Sequence, residues 1–160
     1  MEVAVRNGIA LLGFIFMTSH AAVAALGNKV DSIAKDQKRL SAKLKSAQEV
    51  AASTNPTEKY TVQELVSDAN TVKEFIDQNG VIFAVSWQGL SPPDLSVLLG
   101  SYYSQYNTTQ KNLERPHGKR QQTVEANTLV VQRYGHMRDL RGRAYDTNLV
   151  PSGISIDDIK

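Results

Sequence analysis

The chain contains no cysteine and only three histidines among its 160 residues. The lack of cysteine excludes a disulfide framework, a thiolate metal site, a cysteine nucleophile and a lipid-attached cysteine. Catalytic zinc usually takes three protein ligands, and we expect neither a metal ion nor a cofactor. The net charge of +2 is too small to indicate nucleic-acid binding. Without disulfides or a metal ion, the folded protein must be stabilised by its apolar core.

Long apolar runs are also scarce, except at the start of the chain. Residues 1–25 combine a charged start, the apolar run Ile9–Met17 and an end of small residues. This pattern is typical of a secretory signal peptide, with cleavage predicted near Ala24 or Ala25. An uncleaved membrane anchor is the alternative, but it needs about 20 apolar residues, and a Ser-His pair interrupts the run. We expect a periplasmic or secreted protein with no transmembrane span after cleavage.

Two parts follow the leader. Residues 26–56 are predicted to form an amphipathic helix and a linker, and residues 57–160 a single α+β domain. In residues 30–51 the apolar positions recur at spacings of three and four, which is typical of one helical face. Such a helix is only marginally stable without tertiary contacts. Its partner is the protein's own sheet, a membrane surface, or a second copy of the chain, which would make the protein a homo-oligomer through residues 30–51.

The first half of the predicted domain is rich in strand signals. Three runs of β-branched and aromatic residues lie between Tyr60 and Trp87, and Asn79-Gly80 favours a tight turn between the last two. They predict a three-stranded antiparallel meander. Within it, Phe75 lies on the opposite strand face from its apolar neighbours, so the buried face of the middle strand stays ambiguous.

A helix and further strands are predicted to follow. Ser91 is the expected N-cap, an apolar stripe extends to Tyr106, and residues 107–122 are expected to form a polar loop. Three more strands come next, with a turn predicted at Tyr134-Gly135. The fold class is therefore α+β: an antiparallel sheet, made of the N-terminal meander and the C-terminal strands, packed by an interior helix, with an amphipathic N-terminal helix.

One histidine and four arginines lie between Val130 and Tyr145, in a part of the chain that otherwise has strand character. Arginines two residues apart share a strand face and can bind a carboxylate or phosphate together. Pairing with the acids of the meander is the structural alternative; these are Glu64, Glu74 and Asp77. The candidate binding residues are Trp87, Gln88, His136, Arg138, Arg141 and Arg143.

No catalytic motif accompanies these residues: the sequence has no nucleophile elbow, no glycine-rich phosphate loop and no HExxH pair. We therefore predict a non-enzymatic binding domain of the cell envelope that contacts an envelope protein or another acidic surface. One alternative is a small anionic-ligand or hydrolytic site around His136 and the arginines Arg138, Arg141 and Arg143. Another is a self-associating structural protein built through the N-terminal helix.

Several longer segments support a resemblance that spans almost all of the sequence after the leader. They include YTVQEL at Tyr60–Leu65, GVIFAVSWQG at Gly80–Gly89, PDLSVLLGSYYSQY at Pro93–Tyr106 and the closing VPSGISIDDIK. With them the chain resembles the domain of unknown function 2844 family, uncharacterised exported proteins of Gram-negative bacteria. It departs at Leu90, where that family tends to have proline, and at Tyr134, where a second glycine is usual. The resemblance implies export and a single domain, and it brings no activity, ligand or catalytic residue.

Overall fold

The computed structural model of the chain describes residues 26–29, 38, 40, 43–45, 60–113 and 120–160. Within these ranges, seven strands form one antiparallel sheet in the spatial order β1-β2-β3-β4-β7-β6-β5. The strands are β1 (Lys43–Lys45), β2 (Tyr60–Val66), β3 (Asn70–Asp77), β4 (Ile82–Gly89), β5 (Gln122–Ala126), β6 (Leu129–His136) and β7 (Asp139–Asp146). A helical connection between β4 and β5 makes the fold α+β with an antiparallel sheet, as the sequence predicts.

Tight turns connect most of the neighbouring strands. Between β3 and β4, the Asp77 carboxylate accepts hydrogen bonds from the backbone N–H groups of Asn79 and Val81, and Gly80 has a φ of +76°. The predicted Asn79-Gly80 turn is therefore confirmed. Since β4 pairs with β7, the meander β2–β4 and the meander β5–β7 lie side by side in one sheet.

The turn predicted at Tyr134-Gly135 is wrong, because both residues belong to β6. The two-residue turn between β6 and β7 is Met137-Arg138, and Arg138 has a φ of +69°. Gly135 serves a different purpose: a Cβ atom there would lie 2.2 Å from the Asp139 carbonyl oxygen. Glycine is needed for close approach of two strands rather than for reversing the chain.

The helical connection contains α1 (Leu95–Leu99), a 3-10 turn (Gly100–Tyr102) and α2 (Tyr103–Asn112). Its N-cap is Asp94, whose carboxylate accepts a hydrogen bond from the Ser96 N–H at 2.8 Å, and not Ser91 as predicted. The helix also extends through the first six residues of the predicted polar loop, because helical hydrogen bonding continues after the apolar stripe ends. No helix in the described part of the chain is long and apolar enough to cross a bilayer.

The larger core lies between the sheet and the helical connection. Its buried members from the sheet include Leu65, Val72, Val85, Val124, Leu129 and Val131. Leu98 and Leu99 face them from α1, and Trp87 closes the core at the end of β4. These strand residues alternate with residues of the other face, as expected for a pleated strand.

A second, smaller core lies on the opposite face, under the C-terminal segment (residues 147–160). Ile159, which is 1% exposed, packs there in one cluster with Phe75 and Tyr145. The ambiguity of β3 in the sequence has this physical cause: both of its faces are buried. Since the second cover is a segment without long secondary structure, no periodicity predicts it.

A β-bulge at Phe83 places two consecutive residues of β4 on the same face of the sheet. Ile76 pairs with Ile82 while Phe75 pairs with Ala84, so that Phe83 is an extra residue between them. Ile82 packs under the helical connection, and Phe83 and Ala84 pack under the C-terminal segment.

Most of the predicted N-terminal helix lies outside the described residues. Lys38 is helical, but Lys43–Lys45 is a strand paired with β2, so the prediction is wrong for those three residues. Without β1, β2 would be the edge of the sheet, and its backbone N–H and C=O groups on that side would have no strand partner. The helical pattern of this part of the sequence gives no reason to expect a strand there.

The first described residues pack against the start of β4. Leu26 is 1% exposed, and its N–H donates a hydrogen bond to the Leu98 carbonyl at 3.0 Å. The Gly27 N–H donates to the Ile82 carbonyl at 2.7 Å. The segment that directly follows the predicted cleavage site is therefore part of the folded core.

Candidate functional site

Five of the six predicted binding residues lie at one end of the sheet, which we call the open end. It contains the end of β4, the start of β7 and the hairpin tip, defined as His136 to Asp139. Gly89 of β4 pairs with Leu140 of β7, and His136 pairs with Asp139. The sixth residue, Arg143, lies further along β7.

Trp87 is a core residue and not an exposed aromatic contact. It is 3% exposed, and its indole lies against Gly142 on the neighbouring strand, since a Cβ at Gly142 would be 2.2 Å from the indole Cζ2. Gln88 has the opposite orientation and is exposed. Trp87 therefore supports the open end from beneath, while Gln88 belongs to its surface.

Asp139 connects two of the predicted residues. Its carboxylate accepts hydrogen bonds from Nε of Arg141 at 2.9 Å and from Nε2 of Gln88 at 3.2 Å. The hydrogen bond from Arg141 is the main cause that holds the pKa of Asp139 below its ordinary value, and the same contact raises the pKa of Arg141. These side chains form one charged cluster on the surface.

Arg143 is held by the C-terminal segment. Its Nη1 donates to the carbonyl oxygens of Ile156 at 2.5 Å and Ile159 at 3.5 Å, and its Nε donates to Oε1 of Gln132 at 2.7 Å. Its Nη2 lies 3.7 Å from a carboxylate oxygen of Asp157. With these donors engaged, Arg143 fixes the C-terminal segment on the sheet and does not join the open end.

The predicted pairing of the arginines with the acids of the meander is wrong. Within the described ranges the two ion pairs are Arg141–Asp139 and Arg143–Asp157. Asp77 caps the β3–β4 turn instead. Glu74 is fully buried and shares the helix-side face of the sheet, away from both arginines.

The hairpin tip is exposed. Met137 is 91% exposed, and both His136 and Arg138 are exposed beside it. Nδ1 of His136 lies 3.3 Å from the Met137 carbonyl oxygen, whereas the Asp139 carboxylate is held by Arg141 and Gln88. The hydrolytic alternative needs a histidine oriented by a carboxylate, and it gains no support from these contacts.

A polar groove of about 320 Å³ lies on the same face of the sheet as the C-terminal segment, in the part that this segment leaves uncovered. It begins where that segment ends, because Nζ of Lys73 donates to the Lys160 carbonyl oxygen at 3.1 Å. Its lining mixes charges of both signs, with Glu64 among the cations. The groove therefore has no strong preference for one sign of charge.

A second cavity of about 280 Å³, which we call the arginine cleft, lies at the same end of the sheet. Its charged lining residues are Arg120, Arg133 and Arg141, and its apolar ones include Pro92, Tyr134 and Leu140. Of these three arginines, only Arg141 is among the predicted binding residues. Arg133 could have been identified from the sequence, because strand alternation places this charged residue on the same face as the buried Leu129 and Val131.

In the described part of the chain, no group of three or more His, Cys, Asp or Glu side chains could hold a metal ion. The open end instead presents guanidinium groups next to apolar side chains, and the guanidinium groups can bind anions.

A model for a family described as protein of unknown function (DUF2844) matches residues 22–159. Searches of curated proteins and of solved structures gave no match. Because the family match covers far more than half of the sequence, from Ala22 to Ile159, the chain belongs to the DUF2844 family.

Proposed function

We propose that the protein is exported and acts as a non-enzymatic binding domain of the cell envelope, with the hairpin tip as its contact surface. The observation that carries this proposal is the joint exposure of Met137 and Arg138 at a two-residue turn. Methionine and arginine are both enriched at protein interfaces. Arg138 has a φ of +69°, in a region that residues other than glycine seldom adopt.

An acidic envelope protein is the proposed partner. The tip and its surroundings carry Arg138, Arg141 and Arg133, while Asp139 is the one acid within the tip itself. Complementary charge raises the rate of encounter and excludes basic partners. The exposed methionine would then supply apolar contact area once the two surfaces meet.

Two observations support export. The leader has the pattern of a signal peptide, and the folded core includes Leu26, directly after the predicted cleavage site. Cleavage near Ala24 or Ala25 would therefore leave the core intact. We expect the mature protein in the periplasmic or secreted fraction, with Ala25 or Leu26 as its first residue by mass spectrometry. An intact precursor in the cytosol would contradict this part of the proposal.

The contact surface can be tested by site-specific crosslinking in cells. A photo-crosslinking residue at Met137 should give a discrete crosslinked product. The same residue at Gln78, which is exposed in the turn at the opposite end of the sheet, is the matched control and should not. Arg138→Glu should remove the Met137 product, because it reverses the charge at the tip. Identical products from both positions, or a product that persists in Arg138→Glu, would exclude the tip as the contact surface.

A further inference from the structure

We propose that the arginine cleft binds a small organic anion that carries an apolar body, such as an aromatic carboxylate or sulfonate. This site differs from the anionic site considered from the sequence, because it uses Arg120 and Arg133 and omits the exposed tip and Arg143. It does not depend on the proposed contact with an envelope protein.

The charge of the cleft has one sign. Arg120, Arg133 and Arg141 line it, and none of the described residues that line it is acidic. Arg133 donates a hydrogen bond to the side-chain amide oxygen of Gln122, a neutral acceptor that orients the guanidinium without cancelling its charge. Among the described residues, Asp139 pairs with Arg141, and no carboxylate pairs with Arg120 or Arg133. A bound anion would supply the missing opposite charge.

The apolar part of the lining determines what kind of anion fits. Pro92 and Tyr134 are exposed and Leu140 is half-buried, so each offers surface to a ligand. Trp87 borders the cleft with its small exposed fraction. An inorganic anion would leave these side chains in contact with water, whereas an anion joined to a ring would cover them and gain the free energy of apolar burial.

Size and charge distinguish the arginine cleft from the polar groove. The volume of about 280 Å³ is at the small end of ligand-binding cavities, which begin at about 300 Å³, so the ligand must be compact. The polar groove is slightly larger, but Glu64 and Lys73 give it mixed charge. A compact anion with an apolar body therefore fits the cleft better than it fits the groove.

The chain's single tryptophan makes the test direct. Protein labelled with 5-fluorotryptophan gives one fluorine resonance, from Trp87 at the border of the cleft. Three probes separate the contributions: 2-naphthalenesulfonate has charge and apolar body, naphthalene-2-sulfonamide has the body without the charge, and sulfate has the charge alone. At low ionic strength, where charge interactions are least screened, we expect a saturable shift with the sulfonate and binding at least about tenfold weaker with the other two.

Arginine variants then locate the site. Arg133→Gln should raise the Kd of the sulfonate about tenfold, because it removes a charge-assisted contact. Arg120→Gln should weaken binding in the same direction and serves as the second variant if Arg133→Gln does not fold. The matched control, Arg138→Gln, removes an arginine outside the cleft and should leave the Kd unchanged. Equal binding of the sulfonamide, no shift with any probe, or a Kd that responds to Arg138→Gln and not to the cleft variants would overturn the proposal.

Discussion

β7 begins with Asp139 and ends with Asp146, and the two carboxylates lie in opposite surroundings. Asp146 is 4% exposed and accepts hydrogen bonds from the Tyr102 hydroxyl at 2.6 Å, the Thr128 hydroxyl at 2.9 Å and the Asn148 N–H at 2.8 Å. Asp139 lies on the surface with Arg141 and Gln88. We call the Asp146 end of the sheet the closed end.

The two ends differ in what covers them, and not in the residue types of the strands. Arg141 and Arg143 are two positions apart on the same face of β7, yet Arg143 lies under the C-terminal segment and binds its backbone, while Arg141 lies beyond it. The position of the covering segment therefore decides which arginine stabilises the fold and which is available to a partner.

The largest expected difference between the ends is in apolar burial. Leu129→Ala, at a closed-end position that is 0% exposed, should lower the free energy of unfolding by about 2–5 kcal/mol. Leu90→Ala makes the same chemical change at the open end, where Leu90 is 61% exposed, and should change it by less than about 0.5 kcal/mol. Urea unfolding measures both. Similar losses in the two variants would show that the open end is covered.

A smaller difference is expected between the two arginines. Arg143→Gln should lower the free energy of unfolding by about 1–3 kcal/mol, because partly buried carbonyl oxygens of the C-terminal segment lose their donor. Arg141→Gln breaks an exposed ion pair and should have an effect below about 1 kcal/mol. Thermal unfolding of the two variants at one pH tests the ranking, and a larger loss in Arg141→Gln would reverse our assignment of roles.

The closed end should also carry a pH dependence at alkaline pH. Burial, followed by the hydrogen bond to Asp146, raises the pKa of Tyr102 to about 12 from 10.0. Because the folded-state pKa is the higher one, its stabilising contribution is present below pH 10 and is lost as the pH rises from 10 to 12. Tyr102→Phe should cost about 1 kcal/mol at neutral pH and should lose less stability than the wild type across that interval. Parallel unfolding profiles of the two proteins would contradict this expectation.

The smallest expected effect is at Asp139. Arg141→Gln should return the pKa of Asp139 toward its ordinary value, since the hydrogen bond from Arg141 is the main cause of the lowered pKa. A group with a lowered folded-state pKa stabilises the fold above its unfolded pKa and loses that contribution as the pH falls through the folded-state value. At this exposed position the loss should be too small to detect by unfolding. Carbon NMR of the carboxyl group during titration gives the pKa directly, and an unchanged value would show that Arg141 is not its cause.

The sequence predicts local features of the fold well where the preferences of neighbouring residues determine them. The Asn79-Gly80 turn and the β-rich runs of both meanders are examples, because their conformation follows from short-range preferences. The turn at Tyr134-Gly135 was wrong because a glycine signal has two physical causes, chain reversal and close strand approach, and only the tertiary structure distinguishes them.

The candidate site was predictable only in part, because its geometry depends on long-range covering contacts. Arg143 is held away from the open end by hydrogen bonds to carbonyl oxygens 13 and 16 residues further along the chain. No local sequence pattern predicts that the C-terminal segment returns to this part of the sheet. Trp87 was predicted as a contact residue and is buried, since Gly142 on a distant strand leaves space for its indole. Arg133 was missed although its place on an apolar strand face marks it.

The bulge at Phe83 makes β4 respond differently to deletions at different positions. Because Phe83 is the extra residue between Ile82 and Ala84, deleting it would restore regular alternation and leave Val85 and Trp87 on the face of the larger core. The protein would then lose only the aromatic side chain that Phe83 contributes to the smaller core. Deleting one residue after the bulge would instead exchange the faces of Trp87 and Gln88 and bring a polar side chain into the larger core, so deletions there should be selected against more strongly.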